Sequence, residues 1–143
     1  MTRRPPRVRE QGFAALELSA GVALLLLPVV LVVLSLPRWV ERQDVARVAA
    51  RDAARVVGLS GWCDRRAAEQ AVARATSDAG LEPGALQVTL DCAPAGPLPR
   101  GGQVTAHVRV AMPVLAVPMV GSAGAWTWTA GHRQPIDPYG SRP

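Results

Sequence analysis

The sequence predicts an α+β protein with a long N-terminal helix, a second short helix and a small three-stranded antiparallel sheet. Three observations lead to this fold class. Residues 13–36 are almost all apolar, residues 38–59 continue with apolar side chains at helical spacing, and residues 86–130 contain three stretches of alternating apolar and polar residues. Helices followed by alternating strands are typical of a sheet that buries one face under a helix.

The apolar run of residues 13–36 is expected to cross a membrane. Its 24 residues would form a helix about 36 Å long, against a hydrocarbon core of about 30 Å. A cleaved secretory signal has a shorter apolar region that ends at a small-x-small site, whereas this run ends in LSLPRW. Pro28, near the middle, predicts a kink because proline leaves a helical carbonyl unpaired. Arg38 and Trp39 suit the far interface, so we expect a retained transmembrane helix over residues 13–37.

The distribution of charge predicts the orientation of this helix. The chain has sixteen basic residues, all Arg, and a net charge of +5, but residues 1–12 alone hold four Arg against one Glu. Basic residues next to a span are retained in the cytoplasm, so residues 1–12 form a predicted cytoplasmic leader and the C-terminal domain is expected outside the cytoplasm. Because no nucleic-acid-binding motif accompanies the positive charge, nucleic acid is not an expected partner.

Two helices are predicted after the membrane. Residues 38–59 form an amphipathic helix that either continues the span or is separated from it by a bend at Pro37. Its predicted apolar stripe contains Val45, Ala49, Ala53, Val56 and Val57, and its exposed row contains Arg47, Arg51 and Arg55. Gly58 and Gly61 are expected to end this helix. Asp64 is placed to cap a second helix over residues 65–79, which Gly80 ends.

Three strands are expected in the second half of the chain. Alternation of apolar and polar residues predicts them over residues 86–92, 104–110 and 126–130. The Pro/Gly-rich residues 94–102 are interpreted as the loop between the first two strands. The long amphipathic helix is expected to cover the apolar face of the sheet.

Two further segments are predicted to be neither helix nor strand. Residues 112–120, MPVLAVPMV, are apolar but too short to span a membrane. They are either a hydrophobic connection packed on the domain or an exposed patch that docks on a partner or on the membrane surface. Residues 134–143 contain three prolines and are predicted to form a flexible tail.

Cys63 and Cys92 are the only cysteines, so one internal disulfide is possible. An extracytoplasmic location favours oxidation, and the alternative is a pair of separate buried thiols. The two cysteines and two histidines lack the spacing of a metal site. The chain also has no nucleophile, phosphate-binding or dinucleotide-binding motif, so we expect no enzymatic activity, cofactor or metal.

The charged residue Glu17, inside the apolar run, needs an explanation. A carboxylate there is unfavourable unless it reaches the interface or is neutralised. Gly12 stands five positions earlier, directly after the basic leader, and this arrangement resembles a type IV prepilin processing site. The resemblance implies cleavage between Gly12 and Phe13 by a membrane-embedded prepilin peptidase. The new α-ammonium at Phe13, largely protonated at neutral pH, could then pair with Glu17 of its own chain or of a neighbouring subunit.

The wider sequence resembles TadE-like proteins, the minor pseudopilins of the Tad (Flp) pilus assembly system. The resemblance is carried by GFAALELSAGVALLLLP, by DVARVAARDAARVVG and by VTAHVRVAMPVLAVPMVGSAGAWTWTA. It implies a type IV pilin-like fold, with an extracytoplasmic TadE-like domain over residues 38–133, and a structural role in pilus assembly. It also implies partners: the prepilin peptidase, other pilin or pseudopilin subunits, the inner-membrane assembly platform and membrane lipid.

A competing interpretation is an uncleaved, membrane-anchored ectodomain that binds a ligand or partner. The two interpretations differ in the mature N-terminus, which is Phe13 in the first and an intact leader in the second. A membrane-tethered enzyme would need a polar constellation that the sequence does not display.

Overall fold

The structure is a computed structural model that describes residues 10–92, 96–117 and 121–139. Most of the predicted leader, part of the predicted loop 94–102, the last three residues of the 112–120 segment and the last four of the tail lie outside the described residues. The elements along the chain are α1 (Glu10–Ser60), α2 (Arg65–Asp78), β1 (Leu86–Asp91), β2 (Gln103–Val117) and β3 (Gly121–Pro135). The α+β class predicted from the sequence is confirmed.

Helix α1 is a single helix of 51 residues that contains both the predicted span and the predicted amphipathic helix. Pro28 and Pro37 both lie inside it, so the amphipathic helix continues the span, and a bend at Pro37 stays a prediction. Each proline removes one backbone donor, and the helix continues past both. The helix ends at Ser60, and Gly61 follows with a φ of +67°, a left-handed conformation that glycine adopts readily.

Helix α2 begins and ends where its sequence signals predict. The Asp64 carboxylate accepts a hydrogen bond from the Ala67 backbone N–H at 3.1 Å, as an N-cap does. Ala79 follows as the C-cap residue, and Gly80 has a φ of +63°. The predicted boundaries of residues 65–79 therefore differ from the observed ones by a single residue.

The three strands form one antiparallel sheet in the order β1-β2-β3. Val88 pairs with Val108, and Val108 pairs with Ala130, so the central strand β2 lies between the other two. Beyond Val110, β1 has ended and β2 pairs with β3 alone as a two-stranded ribbon that continues to Val117 and Gly121. We call the part of this ribbon past Val110, residues 111–117 and 121–127, the ribbon end.

The predicted lengths of the second and third strands are wrong. β2 runs seven residues past the predicted end at Val110, and β3 extends the predicted residues 126–130 at both ends. Met112 to Val117 therefore belong to a strand rather than to a connection. Pro113 is compatible with β2 because a proline that does not have to donate to a neighbouring strand is tolerated; past Val110 no β1 residue pairs with β2.

The start of the predicted tail is also part of the fold. Gln134 and Pro135 belong to β3 and pair with Val104 and Gln103. Ile136 is 6% exposed, and its N–H donates to the Gly102 carbonyl at 2.9 Å. Residues 134–136 are therefore anchored to the start of β2, in contrast to the flexible tail predicted there.

The hydrophobic core lies between α1 and the sheet, as predicted. On α1 it consists of small side chains and on β2 of alternate residues, all with no exposed surface: Ala46, Ala49, Ala50, Ala53, Ala54 and Val57 from the helix, and Val104, Ala106, Val108, Val110 and Met112 from the strand. Two predicted members of the stripe, Val45 and Val56, are only half-buried. Alanine on the helix allows its backbone to approach the sheet closely, which maximises van der Waals contact.

Strand β2 runs alongside α1 over the C-terminal half of the helix, from Trp39 to Gly58. At one end, a Cβ added to Gly58 would lie 3.9 Å from Val104. At the other end, the indole nitrogen of Trp39 donates to the Pro113 carbonyl at 2.6 Å. The helix rises about 28 Å from Trp39 to Gly58, and the strand rises about 30 Å from Val104 to Pro113. Because these lengths agree, the axes of α1 and β2 run nearly parallel. The ribbon end therefore points toward the apolar half of α1.

Candidate functional site

The N-terminal half of α1 is mostly apolar and exposed. Every described side chain from Leu16 to Val30 is exposed, including Leu24 at 78% and Leu18 at 71%. By length and composition this part of the helix can cross a membrane. A helix segment that is apolar on most of its surface and has no cover from the other described residues is typical of a membrane span. The structure thus agrees with a single-pass anchor near the N-terminus.

Glu17 lies on the exposed surface of this half of α1. It lines a shallow groove along one side of the helix, together with Leu18, Gly21, Val22, Leu25 and Leu26. Gly21 has no side chain, and the space beside it is open, because a Cβ placed there would meet no atom within 4 Å. Glu17 and Gly21 are four residues apart and therefore share one helix face. This face, which we call the Glu17 face, combines a carboxylate with a position where another helix can approach closely.

The predicted processing site lies within α1: the described part of the helix starts at Glu10, so the Gly12–Phe13 peptide bond is helical. From Phe13 to Glu17 the helix rises about 6 Å, or one turn. A new N-terminus at Phe13 would therefore lie within one helical turn of Glu17.

Pro28 lies eleven residues after Glu17 on the same helix. It removes the donor that would bond to the Leu24 carbonyl. The helix is continuous across this position, and the predicted kink stays a prediction.

The two cysteines are joined. Cys63 and Cys92 form a disulfide with their Cα atoms 6.0 Å apart. It links the segment between α1 and α2 to the residue that follows β1. Two backbone hydrogen bonds of 2.8 Å reinforce the same junction: Cys63 N–H donates to the Gly96 carbonyl, and Leu98 N–H donates to the Gly61 carbonyl. The bridge therefore fastens both helices to the sheet, and the alternative of two separate thiols is excluded.

A second groove, which the sequence did not predict, lies between α1 and α2. Its volume is about 800 Å³, and it is lined by Asp44, Val45, Val48, Asp52, Arg55, Val56, Leu59, Ala71, Arg74, Ala75, Asp78 and Ala79. Val48 and Leu59 are 55% and 77% exposed. The signal available in the sequence was a second apolar row on α1 beside the alanine stripe. The groove has an apolar floor and charges of both signs on its rim.

Two side chains of α1 that no sequence pattern singled out hold the domain against the helix. The guanidinium of Arg42 donates to the Ala111 carbonyl at 2.6 Å, and Trp39 donates to Pro113 as described. Ala111 and Pro113 are two residues apart on β2, so their carbonyls point to the same edge of the strand. This is the edge that β1 leaves unpaired past Val110. The two α1 side chains therefore cap an open strand edge.

Among the described residues, no group of three or more His, Cys, Asp or Glu side chains could hold a metal ion. Comparison with known proteins identifies no relative: no family model, no curated protein and no solved structure matches the chain.

Proposed function

We propose that this chain is a pilin-like subunit that acts in the assembly of a Tad-type pilus or a related secretion apparatus. The observation that carries the proposal is the division of α1 into two halves. One face of the C-terminal half is buried against the sheet, whereas the N-terminal half exposes an apolar surface with Glu17 beside Gly21. Such a chain can embed one half of its helix among lipids or other helices while it presents a folded domain outside the membrane.

The Glu17 face supports lateral packing of α1 against a neighbouring helix. Helix association within a bilayer depends on close packing at small residues and on polar contacts, since apolar burial alone gives little advantage there. Gly21 provides the small residue, and Glu17 provides the polar group. An ionised carboxylate in hydrocarbon is unfavourable by a few kcal/mol at the centre of a span and by less near its end.

The proposed partner of Glu17 is the α-ammonium at Phe13 after a prepilin peptidase removes residues 1–12. Within one chain the two groups lie about one helical turn apart. Between two chains the same pair would form only when the helices are aligned at one axial position. Neutralisation would then favour one register over others, as buried polar pairs do in other helical assemblies. Other pilin subunits and an inner-membrane platform are the partners that this role requires.

Two measurements test the proposal. Mass spectrometry of the mature protein, expressed with its native prepilin peptidase, is expected to show an N-terminus at Phe13. Glu17→Gln is expected to leave insertion and cleavage intact but to prevent incorporation into the assembled complex, measured by crosslinking in membranes. Glu41→Gln is the matched control, because Glu41 is an exposed carboxylate on the outer half of the same helix, 3.7 Å from Arg38.

A steric variant tests the same face without changing charge. Gly21→Leu places a side chain in open space, so it should not disturb the single chain, yet it should block the approach of a second helix. Ala23→Leu, about 200° away around the helix, should assemble normally. Normal assembly of both Glu17→Gln and Gly21→Leu would refute the role of the Glu17 face. An intact leader on the mature protein would instead favour the membrane-anchored binding domain, for which the groove between α1 and α2 is the candidate binding site.

A further inference from the structure

The ribbon end has a position and a composition that the proposed function does not use. It consists of residues 111–117 and 121–127, where β2 and β3 pair with each other and β1 is absent. We propose that the ribbon end lies in the lipid headgroup layer, beside the outer end of the membrane span, and anchors the domain to the membrane surface. The inference rests on α1 crossing a membrane and is independent of pilus assembly.

The first support is the level that the ribbon end reaches along α1. Trp39 contacts Pro113, and β2 continues for four residues to Val117, a distance of about 13 Å. On α1 the same distance corresponds to eight or nine residues and leads from Trp39 to about Leu31. The burial of α1 side chains agrees with this estimate. Ser35 has no exposed surface and Leu31 is half-buried, while residues 32–34 between them are exposed. The ribbon end therefore covers one side of the last turns of the apolar run.

The second support is the length of that run. Residues 13–36 form a helix about 36 Å long, which exceeds a hydrocarbon core of about 30 Å by about 6 Å. If Phe13 lies at the inner surface of the core, the core ends near residue 33. Ser35 and Leu36 then fall in the headgroup layer, which is about 5–7 Å thick on each side. The part of the ribbon end beside Ser35 lies in the same layer.

The third support is composition. No ionisable side chain occurs between Arg109 and His132, so the whole ribbon end is uncharged. Val114 and Trp126 are exposed, at 47% and 43%. Trp126 pairs with Met112 across the ribbon, one residue from the Pro113 carbonyl that Trp39 contacts. Two tryptophans from different elements thus lie at one level, about 9 Å from the estimated end of the core and next to the interface layer that indole rings prefer.

The fourth support is that side chains of α1 bond part of the open edge of β2. Unpaired backbone groups exclude a strand edge from hydrocarbon, and here α1 reduces their number. Arg42 and Trp39 bond the carbonyls of Ala111 and Pro113, and Pro113 has no N–H to satisfy. The remaining groups can bond to water or to lipid headgroups. The edge therefore sets a limit to the depth: most of the ribbon end lies in or outside the headgroup layer, and only its tip, level with Leu31, extends about 3 Å inward past the estimated end of the core.

Fluorescent probes on the full chain in phosphatidylcholine vesicles test the inference. Val114→Cys places an environment-sensitive label on the exposed part of β2, and Ala125→Cys places one at the same level on β3, in case the first label disturbs packing. Cys63 and Cys92 are bonded to each other and do not react. Arg109→Cys is the matched control, exposed on the same strand about 17 Å farther from the membrane. Leu25→Cys reports whether the helix itself is in the bilayer.

Labels at Val114 and Ala125 are expected to emit at shorter wavelength than the label at Arg109. They should lose at least half of their fluorescence to lipids that carry a quencher near the headgroup, and little to aqueous iodide. Equal iodide quenching at Val114, Ala125 and Arg109, with Leu25 quenched by lipid, would overturn the inference while leaving the span intact. Shielding of Val114 from both quenchers, growing with the protein-to-lipid ratio, would overturn it in favour of contact with a second copy.

Discussion

Removal of the Cys63–Cys92 disulfide should destabilise the extramembrane domain by about 3–4 kcal/mol. The cysteines are 29 residues apart in sequence. Closing a loop of that length in the unfolded chain lowers its entropy by about 12 cal/mol/K, or about 3.6 kcal/mol at 25 °C, in the chain-entropy model. The backbone bonds at the same junction, Cys63 to Gly96 and Gly61 to Leu98, remain when the sulfurs are lost. The folded geometry should therefore survive, and the effect should come mainly from the unfolded state.

Urea unfolding of the full chain in detergent micelles measures this difference. Trp39 and Trp128 serve as reporters, because the first bonds to β2 and the second lies 5.3 Å from the guanidinium of Arg47 on α1. The oxidised protein, the reduced protein and the Cys63→Ala/Cys92→Ala double variant are compared. For a domain of this size, the loss corresponds to a fall in the melting temperature of roughly 15–25 °C.

The reduced protein is the control for the alanine side chains, since it retains both sulfurs without the bond. It should unfold at nearly the same urea concentration as the double variant. Unfolding of all three proteins within about 1 kcal/mol of one another would refute the reasoning, because an effect that small is typical of an ordinary side-chain contact.

Three further changes should each have a smaller effect on the same unfolding curve. Gly124→Ala should lower the free energy of unfolding by about 1 kcal/mol more than Gly101→Ala does. Both glycines have a similar positive φ, +67° and +69°, but only at Gly124 would the new Cβ lie 3.0 Å from a side chain, that of Val114. Trp39→Phe should cost about 1 kcal/mol by removing the indole bond to β2, and it would contradict the capping argument if stability were unchanged. Asp64→Ala should cost about 1 kcal/mol through the lost N-cap, whereas Asp78→Ala, in the last turn of α2, should be neutral or slightly stabilising.

The helical half of the fold could be predicted because its signals are local. The Asp64 carboxylate and the glycines at 61 and 80 act within a few residues of their own positions. The alanine stripe is visible as a periodic pattern. The burial of Val45 and Val56 was overestimated, because the sequence did not reveal that α2 stands off from α1 enough to leave a groove there.

The extent of the strands could not be predicted, because it depends on contacts between distant residues. Pro113 is expected to interrupt a strand, and whether it does depends on whether a neighbour needs its N–H. Here the neighbour at that edge is the indole of Trp39, 74 residues earlier, which needs only the carbonyl. Likewise, Ile136 stands in a proline-rich segment, and only the pairing of β3 with the start of β2 places it in the core.

The candidate site was predicted in part for the same reason. Cys63 and Cys92 are the only cysteines, so a bridge had one possible form. Glu17 is conspicuous as a charge in an apolar run, and the structure adds that Gly21 shares its face. The side chains that cap β2 and the level of the ribbon end along α1 follow from tertiary contacts, which a single sequence does not encode in any local pattern.

The parallel course of α1 and β2 has a mechanical consequence. Five alanines and a valine of α1 are fully buried in the core that the helix shares with the sheet and α2, and they follow one another along the helix axis. A tensile force applied to the membrane end of the helix would therefore load all of these contacts together, in shear, instead of peeling them apart one after another. A domain attached in this way should resist lengthwise pulling on its helix better than one whose contacts break one at a time.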